Sequence, residues 1–195
     1  MALHGGALAL LAAYALLRHR GRDTQLLATM LALQAISVVL FDLASAWAMT
    51  VLFFAYMVGL SLFLTHRLLA PEATHRVGAA ALALGTPALC YFIAWQAGIA
   101  IPVFYGLALG GMAGAAWIST FPQGRVGVGG VLLVAGNAIG LSALVDAGGR
   151  GELADWRALL SWALFYLGNL ALATGVTGEL RNRSEFAAGA FDLGD

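Results

Sequence analysis

The chain of 195 residues contains no lysine; all ten of its cations are arginine. Schiff-base chemistry on a lysine amine is excluded, and with it a retinal-type pigment. Cysteine occurs once, at Cys90. An internal disulfide is impossible, no cysteine metal cluster can form, and a lone cysteine in an apolar stretch reads as a small buried side chain. Charge is also scarce. Only 10% of residues are Asp, Glu, Lys or Arg, against about 25% in a soluble domain. The net charge is zero, which removes the basic surface expected of a nucleic-acid partner. Soluble catalytic signatures are missing too. "GLSAL" (140–144) lacks the second glycine of a nucleophile elbow. "GRVGVGG" (124–130) has neither the lysine nor the preceding strand of a phosphate loop.

What remains is overwhelmingly apolar. Hydrophobic residues make up 61% of the chain, and the mean hydropathy is +0.86. Such a composition predicts an integral membrane protein. A crossing helix needs roughly 20 apolar residues, and seven segments qualify, near 2–17, 24–43, 46–66, 78–97, 100–118, 127–145 and 158–176. The expected fold is an all-α polytopic bundle of about seven transmembrane helices, with eight as the alternative, in one domain, 1–176, followed by a polar segment, 177–195, expected as a mobile cytoplasmic tail. The start of the chain is apolar and lacks the basic region of a signal peptide, so it reads as the first span.

Arginine placement sets the orientation. Arg18, Arg20, Arg22, Arg67, Arg76, Arg125, Arg181 and Arg183 fall on one side, and Arg150 and Arg157 on the other. The positive-inside rule makes the first side cytoplasmic, with the N-terminus outside and the C-terminus inside. Trp47, Trp95 and Trp156 then lie near outer ends and Trp117 near an inner end, as interfacial tryptophans do. Arginine in place of lysine, with heavy use of Ala, Gly and Leu, suggests a GC-rich bacterial genome, hence a bacterial inner membrane.

Lipid tails give helices no hydrophobic reason to associate, so small residues at contacts matter. Gly106, Gly110 and Gly114 line one face of the fifth span, and Gly136 and Gly140 one face of the sixth. They read as packing faces; the alternative is that they leave room for a lipid chain.

Polar groups at membrane depth are the functional candidates. Asp42 and Asp146 lie at outer span ends, where an acid can also simply snorkel to water. His66 lies at an inner end, and no second histidine sits at i+3 or i+4 to make a metal pair; no cofactor is implied. Gln34, Ser37, Tyr56, Tyr105, Asn137, Ser142, Tyr166 and Asn169 project from the spans. Asn137 and Asn169 could bond each other as helix glue, worth about 1 kcal/mol or less. Alternatively they line one outward-opening pocket with Asp42 and the tyrosines.

Four patches carry a family resemblance: "SVVLFDLAS" (37–45), "VGLSLFLTHR" (58–67), "VFYGLALGGMAGAAW" (103–117), and "GGVLLVAGNAIGL" (129–141) followed by "FYLGNLAL" (165–172). Together they resemble the YhhN-type lysoplasmalogenase family, from about residue 37 to 172. Asp42 matches the family's first acid, Gly59, Leu60 and Phe63 its glycine helix, and Tyr105, Met112 and Ala116 its tyrosine helix. There are departures. The second acid falls on Asn137, the family's glutamine on Asn169, and the glycine before the first acid on Phe41. His66 sits one residue early, and the family has eight spans where seven are counted here.

The resemblance implies hydrolysis of the vinyl ether bond of lysoplasmalogens, giving a fatty aldehyde and a glycerophospho-headgroup compound. Protonation on carbon yields an oxocarbenium ion, water adds, and the hemiacetal collapses. Paired acids suit that chemistry as they suit a glycoside bond. Asp42 would be the proton donor and Asn137 would orient water or a substrate oxygen. Tyr105, Tyr166, Asn169, His66 and Ser142 would contact the membrane lipid or lysophospholipid substrate. Two other readings stay open: a lipid-binding or accessory membrane protein that uses the same pocket without turnover, and a small seven-span transporter or sensor.

Overall fold

The computed structural model describes residues 2–41, 43–97, 103–146 and 152–192. Among them are seven helices and no strand: α1 (Ala2–Arg18), α2 (Arg22–Leu40), α3 (Ser45–Thr65), α4 (Ala73–Ala97), α5 (Val103–Trp117), α6 (Val126–Asp146) and α7 (Glu152–Asp192). Each expected span coincides with one helix. An all-helical answer is what an apolar chain must give in lipid, because a helix satisfies its backbone within itself. Five helices, α2, α3, α4, α6 and α7, are long and apolar enough to cross a membrane. α1 and α5 are shorter, at 17 and 15 residues.

Successive helices pack as antiparallel neighbours: α1 on α2, α2 on α3, α4 on α5, α5 on α6 and α6 on α7. α3 also packs on α5 and α1 on α7, so α1, α2, α3, α5, α6 and α7 close a ring. α4 lies outside it, against α5 and α6. The outward surface is apolar: Leu10, Leu17, Phe54, Leu84, Phe92 and Leu159 are exposed. Gln34, Ser37, Thr86, Asn169 and Thr177 are buried instead. A water-soluble surface does not expose so much large apolar area.

The glycines are packing faces. A Cβ at Gly106, Gly110 or Gly114 would come within 2.8, 2.7 or 2.8 Å of the Pro87 Cα, the Leu82 carbonyl oxygen or the Ala79 carbonyl oxygen of α4. At Gly136 it would come within 2.9 Å of the Phe165 nitrogen and the Ser161 carbonyl oxygen, and at Gly140 within 2.6 Å of the Ser161 hydroxyl. Backbones this close leave no room for an acyl chain between them, which removes the lipid-gap alternative at these contacts. Gly129 and Gly168 form a further reciprocal contact between α6 and α7, each Cβ position 2.9 Å from the other's carbonyl oxygen.

The segment after α5 turns under the bundle rather than out of it. The Leu68 amide donates to the Ile118 carbonyl at 2.9 Å, and the Thr120 amide to the His66 carbonyl at 2.7 Å. Phe121 is buried beneath them. Non-helical backbone is tolerated there because protein partners satisfy it. The polar residues after 176, expected as a loose tail, continue α7 as helix to Asp192. Two i,i+4 ion pairs, Glu179–Arg183 at 2.9 Å and Arg181–Glu185 at 2.7 Å, support that extension. Arg183 also donates to the carbonyl and hydroxyl oxygens of Thr120, both at 3.1 Å, and so ties α7 to the α5–α6 loop.

Candidate functional site

Four helices bring chemistry-bearing side chains to one place: Tyr56 from α3, Cys90 from α4, Tyr105 from α5 and Asn137 from α6. The local cause is Gly106. Lacking a side chain, it lets α5 lie against Pro87 and Cys90 of α4 and carries the adjacent Tyr105 into the core. The Tyr105 hydroxyl donates to Asn137 Oδ1, and Asn137 Nδ2 donates back to the Leu133 carbonyl of its own helix at 2.7 Å. Both ends of the Asn137 amide are therefore engaged. The Tyr56 and Tyr105 rings meet at 5.9 Å, tilted by 57°. The Tyr56 hydroxyl is buried and makes no hydrogen bond. Cys90 is buried at the same α4–α5 contact, its Cβ 3.2 Å from the Cβ position of Gly106.

The cluster offers two phenols, an amide and a thiol, and no carboxylate among the described residues. It can orient a polar group by hydrogen bonds; Asn137 cannot take up a proton as a base. Leaving a buried hydroxyl unpaired costs about 1–3 kcal/mol, so Tyr56 is the member best placed to accept or donate a bond to an incoming polar atom. Removing the Tyr105 hydroxyl strands Asn137 Oδ1. Tyr105→Phe is expected to lower stability by about 1 kcal/mol, measured as thermal unfolding of the purified protein in detergent.

The other expected site residues do not join this cluster. Asp42 lies outside the described residues, and so does the side chain of Asp146. Asn169 is fully buried, but it donates to the Phe165 carbonyl of its own helix at 3.0 Å, and its Oδ1 has no partner. The expected Asn137–Asn169 bond is absent, for a reason of register. α6 and α7 run antiparallel, with Gly136 against Ser161–Phe165 and Gly129 against Gly168 and Leu172. Asn169 thus sits level with Gly129, about 12 Å along α6 from Asn137. Tyr166 stacks on Trp162 of its own helix, ring centroids 5.4 Å apart. Ser142 donates to the Ile139 carbonyl at 2.8 Å, also within its own helix.

His66 follows the end of α3, at the end of the bundle where α2 begins. Its Nε2 lies 3.0 Å from an Asp23 carboxylate oxygen, and its ring lies 5.0 Å from that of Phe121. Sequence reasoning passed over Asp23, although the antiparallel α2–α3 hairpin necessarily places the start of α2 beside the end of α3. Tyr56 is legible in the sequence as a polar group in a span but not as a site residue; its place three residues before Gly59, on the same helix face, is the available signal.

Among the described residues no group of three or more His, Cys, Asp or Glu side chains could hold a metal ion. Comparison of the chain with family models, with curated proteins and with solved structures found no match in any of the three.

Proposed function

We propose that this is a bacterial inner-membrane protein whose seven helices all cross the bilayer, with the N-terminus outside and the C-terminus in the cytoplasm. α7, at 41 residues, is about 60 Å long and exceeds a hydrocarbon core of about 30 Å; its arginine-bearing end would stand in the cytoplasm. α5, the shortest, would be completed at its inner end by the buried loop held to His66 and Leu68.

The function we propose is lysoplasmalogenase-like hydrolysis of the vinyl ether bond of a membrane lysophospholipid. The observation that carries it is the Tyr105–Asn137 hydrogen bond. It joins two positions, 32 residues apart in the chain, that the family resemblance singles out independently. In this reading Asp42 delivers the proton to the vinyl carbon. The Tyr105–Asn137 pair and the Tyr56 hydroxyl orient the ether oxygen or the attacking water, and the oxocarbenium ion is quenched by that water.

One observation favours a second reading, lipid binding without turnover. Asn137 stands where an acid would be needed to activate water, and its amide is already held at both ends. Incubating the purified protein with a lysoplasmalogen and measuring fatty aldehyde separates the two. Aldehyde release supports the hydrolase. Retained lipid without aldehyde, at every pH where the protein stays folded, replaces it with the binding reading. Neither lipid retention nor aldehyde removes both.

A further inference from the structure

At the end of the bundle away from the Tyr105–Asn137 cluster, a separate pocket of about 220 Å³ opens between the end of α1, the turn before α6 and the extended part of α7. Its polar wall includes Arg18, Arg125, Glu179, Arg181, Asn182 and Glu185. The two carboxylates are committed: Glu179 accepts from Arg183 at 2.9 Å and Glu185 from Arg181 at 2.7 Å. Arg18 donates to the Tyr14 hydroxyl and lies over that ring, a neutral partner that leaves its charge uncompensated. Arg125 has no ion pair among the described residues. Among the described residues Arg18 and Arg125 are thus two cations of the pocket wall without an ion pair, contributed by two different elements.

Two further features bear on the sign and the shape of the site. Arg125 immediately precedes α6, which begins at Val126; the Val126 and Val128 amides of its first turn already donate to the Pro122 and Gln123 carbonyls, so the arginines and not the helix end supply the charge. On the α7 side, Gly178 lines the pocket, and a Cβ built there meets nothing within 4 Å. A side chain at this position would therefore enter open space without displacing a neighbour. At about 220 Å³ the space is smaller than the roughly 300–1,000 Å³ of a drug-sized ligand site, and it suits a compact anionic group.

We infer that this pocket binds a phosphate group, held by Arg18 and Arg125 at the start of α6. Guanidinium groups match phosphate oxygens in geometry as well as charge. The position favours a phosphate carried at the membrane surface: Arg18 ends the first apolar helix and Arg125 precedes the sixth, where basic residues meet anionic headgroups. The site is distinct from the hydrolase cluster and its occupancy does not depend on that activity.

The test uses the full chain in detergent, with dioctanoyl phosphatidylglycerol and, separately, inorganic phosphate as probes. Binding is read by native mass spectrometry and by the shift in thermal unfolding. Arg125→Gln removes an exposed charge, and Gly178→Leu fills the opening where a side chain meets no neighbour. Each is expected to weaken binding about ten-fold or more while unfolding without ligand stays unchanged. Phosphatidylglycerol binding lost in both variants identifies a lipid headgroup as the source. Binding of inorganic phosphate alone, with the same dependence on the variants, identifies a soluble phosphate. Binding equal in wild type and both variants, or no binding of either probe, overturns the site.

Discussion

Asp42→Asn is expected to lower aldehyde release from a lysoplasmalogen by about 10²–10⁴-fold, the usual contribution of a positioned acid, with little change in folding. The reason is chemical. A vinyl ether is unreactive toward water until carbon is protonated, and asparagine keeps the shape of the side chain but has no proton of suitable acidity to give. Around the Tyr105–Asn137 pair the described core offers phenols, a thiol and an amide, none of which replaces a carboxylic acid near neutrality. The companion substitution Asn137→Asp puts a carboxylate beside the Tyr105 hydroxyl, which already donates to that position, and is expected to raise turnover. Aldehyde release that is indifferent to both changes would remove Asp42 and Asn137 from the mechanism together.

Gly110→Val is expected to cost about 3 kcal/mol or more, at or beyond the top of the range for overpacking a well-packed core. The Cβ alone would lie 2.7 Å from the Leu82 carbonyl oxygen and 2.9 Å from Thr86 Cβ. The first of these is backbone and cannot rotate away; the whole of α4 would have to retreat. Because Gly106 and Gly114 hold the same seam, the retreat would spread along α5 and shift Tyr105 against Asn137. Gly85→Ala is the control. A Cβ there meets nothing within 4 Å, and alanine is a better helix former by about 1 kcal/mol, so its unfolding temperature should be unchanged or slightly raised. Equal behaviour of the two variants in detergent would refute the close α4–α5 contact.

The helices were legible in the sequence, and the site only in part. All seven segments and the glycine faces on α5 and α6 could be read from spacing, because a helix in an apolar chain is dictated by its own residues. Tyr105 and Asn137 were each legible as candidates for one polar pocket, but that they bond each other is decided by the contact between their helices. Asn169 shows where that reading stops. It lies in the middle of an apolar helix and looks equivalent to Asn137, but the register of α7 on α6 sets it about two turns away. The helical course of the segment after residue 176 was not legible for a similar reason. Its composition is polar enough for a tail, while the Glu–Arg pairs and the Arg183–Thr120 bonds that extend the helix depend on spacing and on a loop 63 residues earlier.

By itself, the sequence determined that this chain is a set of apolar helices with buried polar residues and basic ends, since hydropathy, helix length and charge placement are local properties. Tertiary structure decided which of those polar residues meet. Glycine-to-backbone contacts set the depth and rotation of each helix against its neighbour. A shift of a single turn, about 5.4 Å, is enough to separate a hydrogen bond or to make a contact such as that between Asp23 and His66.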